Sequence, residues 1–235
     1  KPMLSAYSPD LIPRPADWPA NVHLTGYFYL DEKPDWQPSP ELQAFLDTGG
    51  PPVYIGFGSM GGRNPEKLAD LILAALEKSG QRGVILAGWG GLRLKNVPES
   101  VFVAESVPHS WLFPRMAAVV HHGGAGTTAE GLRAGVPNLI VPFILDQPFW
   151  GVRVHAMGLG PAPIPHKKQT ANRLAAAIQE AVSNPEMRQR AQAVGRAIRA
   201  ENGVTNAVKI VEEYFGKPRK THPPFKPSPP PAIAC

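Results

Sequence analysis

The sequence predicts an open, doubly wound α/β domain: a parallel sheet with crossover helices, Rossmann-like in plan. Three observations carry this. From Pro52 onward, short apolar runs alternate with stretches of helical spacing. Two of those stretches open on one capping signature, Asn64-Pro65-Glu66 and Asn184-Pro185-Glu186. Each apolar run is followed by a polar or glycine-rich segment, as strand ends that meet a ligand would be.

The elements follow in order. Val53-Tyr54-Ile55-Gly56-Phe57 is the first strand. Asn64 caps the helix after it, Pro65 takes the first helical position, and Glu66 meets the positive end of the dipole. Leu68, Leu71, Ile72, Ala75 and Leu76 give that helix one apolar face. Val84-Ile85-Leu86-Ala87, Val101-Phe102-Val103-Ala104, Ala117-Ala118-Val119-Val120-His121 and Leu139-Ile140-Val141 continue the sheet. Helix-compatible stretches lie at 109–115, 126–134, 147–157 and 171–183. Met187, Ala191, Val194 and Ile198 form a stripe on the next helix. Ala207, Val208, Ile210, Val211, Tyr214 and Phe215 form one on the last.

Proline marks the boundaries. Of 28 prolines, ten fall in residues 1–52 and seven in 216–235. Residues 1–52 are expected to be a connector from a preceding domain, 53–215 the folded domain, and 216–235 a disordered, proline-rich basic tail. Val22 to Leu30 suits a short strand within the connector. Trp18, Tyr27, Phe28, Tyr29 and Trp36 are too many aromatics for a free linker, so it should pack on something. In the tail, Pro224-Phe225-Lys226-Pro227 has the spacing of a polyproline-II ligand, with a solvated end as the simpler alternative.

Charge and composition exclude several functions. The net charge of +5 is concentrated in the tail, which holds four basic residues and no acid. The body is near neutral, without the basic face that nucleic-acid binding needs. No apolar run approaches the ~18–20 residues of a membrane span. The one cysteine, Cys235, permits no internal disulfide and points to a cytoplasmic compartment. It also stands in the wrong position for a prenylation box. The chain begins at Lys1 without an initiator Met and reads as the interior of a longer protein.

The strand ends carry the chemistry. Gly58-Ser59-Met60-Gly61-Gly62, Gly88-Trp89-Gly90-Gly91, Glu105-Ser106-Val107-Pro108-His109, His122-Gly123-Gly124-Ala125-Gly126-Thr127-Thr128 and Phe143-Ile144-Leu145-Asp146-Gln147 collect on one rim. Glycines at the opening of a helix bring phosphate close to main-chain N–H groups, and the dipole favours the anion. His122 and Thr127 add side-chain donors, and Ser59 supplies another. Gly56-Phe57-Gly58-Ser59-Met60-Gly61 also fits the dinucleotide pattern, but no carboxylate closes the second strand. His121 and His122 point to opposite faces of a strand and gain no partners at ligand spacing, so no metal is expected. An acid beside an amide, Asp146-Gln147, can grip adjacent sugar hydroxyls; taken alone, a helix N-cap at Asp146 is the preferred reading.

Together, Val107-Pro108-His109-Ser110-Trp111-Leu112-Phe113, His121 to Thr128, Leu132-Arg133-Ala134-Gly135-Val136-Pro137 and Asp146-Gln147-Pro148-Phe149-Trp150 resemble the donor signature of family 1 UDP-dependent glycosyltransferases. The branch resembled holds sterol 3-β-glucosyltransferases and glycopeptide-antibiotic glucosyltransferases. The resemblance runs from about Tyr7 to Phe215 and implies the C-terminal, donor-binding half of a two-domain GT-B fold. It implies that His122 meets the diphosphate and that Ala125, Gly126 and Thr127 hold the phosphates. Val107 and His109 would flank the uracil, Glu130 the ribose, and Asp146 and Gln147 the hexose, with Ser59 near the diphosphate. Plant members carry a tryptophan where this chain has Ser106.

The family's catalytic histidine and most of its acceptor site lie in an N-terminal domain, so no catalytic residue is expected here. The expected co-substrate is a UDP-sugar such as UDP-glucose, with no resident cofactor. The acceptor would be a lipid or other small-molecule hydroxyl. Two functions follow: the donor domain of an inverting hexosyltransferase, or a UDP-sugar-binding module without turnover of its own.

Overall fold

A computed structural model describes residues 1–30, 36–60, 64–87, 92 and 94–216. Gly61-Gly62, the Gly88 to Gly91 loop and the tail from Lys217, with its proline spacing, lie outside them.

The sheet has five strands: β3 (Val53–Gly56), β4 (Gly83–Leu86), β5 (Val101–Ala104), β6 (Ala118–His121) and β7 (Asn138–Ile140). Before it, β1 (Met3–Ser5) and β2 (Val22–Leu24) pair with each other in parallel, so the expected strand at 22–30 is shorter than proposed. All five main strands run parallel, in the order β5-β4-β3-β6-β7. The chain moves outward from β3 to β5, then returns past β3 to lay down β6 and β7. The connections diverge between β3 and β6, and a crevice opens there at the carboxyl ends.

The connector holds a helix that the proline content disguised, α1 (Pro40–Asp47), capped by the Ser39 hydroxyl. Pro40 sits at its start, where a missing N–H costs nothing. The remaining long helices lie close to the expected spans: α2 (Pro65–Ser79), a short α3 (His109–Leu112), α4 (Ala125–Ala134), α5 (Gln147–Ala156), α6 (Ala171–Ser183), α7 (Pro185–Ala200) and α8 (Gly203–Phe215). Asn64 and Asn184 cap α2 and α7 through their side chains, as their signatures predict. Among the described residues no helix is long and apolar enough to cross a membrane.

Alternation along β3 splits the core. Val53, Ile55 and Phe57 face α2 and α6, with Ile72, Leu76, Leu174 and Ile178. Tyr54 faces the opposite side with Val84, Val119, Leu112 and Phe113, where Leu42 of α1 closes the layer. A third cluster joins α4, α5 and α7 to the connector, through Leu11, Tyr27, Leu132, Trp150 and Ile198. The aromatic connector therefore lies against the helices; Ser8 and Tyr27 anchor it on the Glu201 carboxylate. The last helix differs from its sequence reading. Only Gly203 and Ala207 of α8 are buried, and Val208, Val211, Tyr214 and Phe215 remain exposed.

His121 ends β6 inside this core and ties it to β7. Its Nδ1 accepts from the Gly123 N–H at 3.1 Å, so Nε2 carries the hydrogen toward Asn138 Oδ1 at 3.0 Å. Asn138 in turn donates to the Val136 carbonyl. Gly123 has φ +91°, and a side chain there would strike Ile140. One buried ring thereby fixes the turn that delivers the next four residues to the crevice.

Two predictions follow from this packing. At the α4–α7 crossing, a Cβ on Gly195 would lie 2.8 Å from Gly135 Cα and 2.9 Å from Leu132 O. Gly195→Ala should therefore lower the urea-unfolding free energy by about 1–2 kcal/mol, because overpacking against backbone outweighs the helix-propensity gain. An unchanged or raised midpoint contradicts this packing.

Burial lowers the His121 pKa to about 3. Its contribution to stability is complete above the unfolded-state value near 6.5 and is lost as pH falls from there toward 3. Between pH 6 and 4, stability should fall more steeply in the native chain than in His121→Gln, by about 1.4 kcal/mol per pH unit. Equal slopes in the two proteins would contradict the neutral, buried ring.

Candidate functional site

At the switch point, Gly56 of β3 pairs with His121 of β6, so the loops after the two strands leave side by side. Between them and the segment after β5 lies a cleft of about 610 Å³. Ser59, Val107, His109, His122 and Thr127 all line it. These five residues come from three separate parts of the chain. The fold, not the chain, makes them neighbours.

His122 stands at the centre. Its ring lies over Gly124, where a Cβ would come within 2.5 Å of Nε2, and beside Gly58. Its Nδ1 is buried and has no hydrogen-bond partner among the described residues. Burial lowers the pKa of the ring, and the nearby Asp146 carboxylate raises it. A neutral imidazole with an unsatisfied nitrogen is ready to bond a ligand.

Helix α4 begins beside it. Gly124 occupies the N-cap, and among the described residues no side chain caps the helix. The Thr128 hydroxyl donates back to the Gly124 carbonyl, and among the described residues no side chain accepts from the first-turn N–H groups of Ala125, Gly126 and Thr127. Gly126 has open space above its Cα. An uncapped first turn with a glycine at its tip can bind an anion through main chain and dipole.

The far end of the cleft is formed by Leu86, Glu105, Ser106, Val107, Pro108 and His109. Val107 is 7% exposed, its side chain committed to the core below. His109 stacks on Phe113, with ring centroids 4.4 Å apart and planes 15° apart. Its Nε2 lies 3.2 Å from the Tyr54 hydroxyl. Burial, helped by His122, lowers the His109 pKa to about 4, so the ring is neutral near pH 7.

Three expected residues lie elsewhere. Glu130 is one turn beyond Thr127 and lines a separate recess of about 390 Å³ with Ser110, Arg133 and Arg199. Its carboxylate lies 4.0 Å from the Arg133 guanidinium, which covers the Tyr29 ring of the connector. Asp146 holds the N-cap position of α5 but does not cap it; its carboxylate accepts from Trp150 Nε1 at 2.8 Å. The capping alternative therefore fails, and Asp146 stays exposed on the rim near His122. Gln147 is buried, and its Oε1 accepts from the Phe143 and Ile144 N–H groups at 2.8 and 3.1 Å. That oxygen shapes the loop and is not available to a sugar.

Tyr54, which the sequence marks only as a strand residue, lines the cleft together with Gly56, the first glycine of the apparent dinucleotide pattern. The signal was present in the alternation: positions 54 and 56 share a face. A Cβ on Gly56 would fall 2.1 Å from the Tyr54 oxygen. The first glycine of the apparent dinucleotide motif thus makes room for a tyrosine hydroxyl.

Known proteins resemble this chain along most of its length. It is 47% identical over 210 residues to sterol 3-beta-glucosyltransferase UGT80A2 of Arabidopsis thaliana, covering 89% of this chain and 33% of that protein. It is 40% identical over 225 residues to O-mycaminosyltylonolide 6-deoxyallosyltransferase of Streptomyces fradiae, covering 95% of this chain and 52% of that one. The chain thus spans a third to about half the length of these relatives.

In structure it matches the glycotransferase of kitacinnamycin with a TM-score of 0.75 at 23% identity, over 90% of this chain and 54% of that one. CalG4, the calicheamicin glycosyltransferase, matches with a TM-score of 0.72 at 21% identity. These likenesses establish a fold shared with GT-B glycosyltransferases. Residues 84–214 match the erythromycin biosynthesis protein CIII-like C-terminal domain, and the chain belongs to that family.

Proposed function

We propose that this chain is the donor-binding half of an inverting hexosyltransferase. It takes UDP-glucose or a similar nucleotide sugar for transfer to a hydroxyl on a lipid or other small molecule. The observation that carries this reading is the convergence of His122, with its unsatisfied Nδ1, and the uncapped start of α4 on one cleft at the switch point. The diphosphate would lie along Ala125, Gly126 and Thr127, within reach of Ser59 and His122. The base would lie toward Val107 and His109, and the hexose toward Asp146.

In the reaction, a base on the acceptor side removes a hydroxyl proton, and the oxygen attacks the anomeric carbon opposite the diphosphate. Negative charge then grows on the leaving UDP. The α4 N–H groups and dipole, together with His122, stabilise it where it develops. The nucleotide sugar is a co-substrate, and the reading requires no resident cofactor. The base and most of the acceptor pocket belong to an N-terminal domain, which this chain meets as a partner. A single cysteine is in keeping with a cytoplasmic setting.

A second reading has the chain binding UDP-sugar without turning it over. Its length, a third to about half that of the two relatives described above, favours this for the chain alone. A transfer assay, with and without a supplied N-terminal half, separates the two.

Calorimetric titration should show one UDP site per chain, with His122→Ala weakening it by roughly 10- to 100-fold through the loss of a hydrogen bond to a charged group. Asp146→Ala should weaken UDP-glucose more than UDP, because its carboxylate meets only the sugar. Equal weakening of both ligands removes Asp146 from the hexose site, and an absence of UDP binding removes the donor reading altogether.

A further inference from the structure

We propose that Tyr54 is a positioning residue: it fixes the tautomer of His109 so that the cleft selects a dioxo-pyrimidine base. This rests on the donor-site reading above and concerns the base end of the same cleft.

The argument is an account of hydrogens. Tyr54 is 2% exposed, and among the described residues its hydroxyl makes one hydrogen bond, to His109 Nε2. If Nε2 carried the ring hydrogen and donated, the tyrosine hydrogen would point at no acceptor among the described residues. A buried donor without an acceptor is the costlier arrangement. If Tyr54 donates instead, both groups are satisfied. His109 then accepts at Nε2 and carries its hydrogen on Nδ1, the ring nitrogen that no described protein group engages.

Both groups hold their neutral forms. Burial raises the phenol well above its ordinary value and lowers the imidazole to about 4. The geometry is over-determined. Phe113 packs on Tyr54 with centroids at 4.7 Å and stacks on His109, so neither ring can turn away without leaving a void. Gly56 leaves the space that the hydroxyl occupies, since a Cβ there would overlap it.

The consequence is chemical selection. A neutral His109 with hydrogen on Nδ1 is a donor toward the cleft, and the base edge that meets it must offer an acceptor. The 4-carbonyl of uracil does so, whereas the 4-amine of cytosine sets donor against donor. Ser106 offers no ring for the base to stack on, so this polar contact carries more of the recognition than shape does. A site built around one hydrogen bond rejects the analogue that cannot make it.

The test uses the full chain labelled with [15N]histidine, with His109 assigned by comparison with His109→Gln. Long-range proton–nitrogen correlation should place the hydrogen on Nδ1 in the native chain and as a mixture of tautomers in Tyr54→Phe. Titration calorimetry should show UDP preferred over CDP by at least tenfold in the native chain. The preference should fall to within about threefold in Tyr54→Phe. Gly56→Ala should reproduce both changes by displacing the hydroxyl while leaving it in the chain.

UDP binding with hydrogen on Nε2, or with the UDP-to-CDP ratio unchanged in Tyr54→Phe, overturns this inference alone. Failure of either nucleotide to bind overturns the donor-site reading and this inference with it.

Discussion

The parallel pairing of β3 with β6 is the constraint on which everything at this site depends. Gly56 opposite His121 sets the register, and the crossovers on either side of that pair run in opposite directions. No helix can cover the gap between the two strand ends, so a cleft persists there. One residue of slippage would exchange His121 and His122, putting the ligand-facing ring in the core and the core ring in solvent. Asn138 guards against this, because it bonds the ring that must stay inside.

The adjacent histidines show how one local sequence serves two ends. His121 is fully satisfied, by Gly123 and Asn138, and holds the turn. His122, one position on, has an orphaned Nδ1 above a glycine that leaves it space. Burial keeps both rings neutral, as it does His109. The cleft therefore offers an anion oriented dipoles rather than a cluster of charges. Such groups discriminate by geometry and need little reorganisation as charge develops.

The fold was largely legible because its signals are local. Asn-Pro-Glu at two helix starts, apolar runs of strand length, and glycine after strands each say one thing, and they agree. Ser59, Val107, His109, His122 and Thr127 could be found because a parallel sheet tells where its strand ends go. The directions of some rim side chains were less legible. Glu130 lies beside Arg133, three residues along its own helix, and Gln147 turns back onto the N–H groups of its own loop, although the position of each after a strand end suits a ligand equally well. Helix α1 was hidden by prolines that in fact begin it, and the exposed stripe of α8 reads in sequence like any buried one.

The central claim is that the first turn of α4 holds the diphosphate. Amide nitrogen–proton correlation spectra of the chain during addition of UDP test it most directly. The account predicts that the Ala125, Gly126 and Thr127 amides shift downfield together and saturably, accompanied by Ser59 and the His122 ring. Shifts confined to Glu130, Arg133 and Arg199, with the start of α4 unmoved, would place the ligand in the other recess and contradict it.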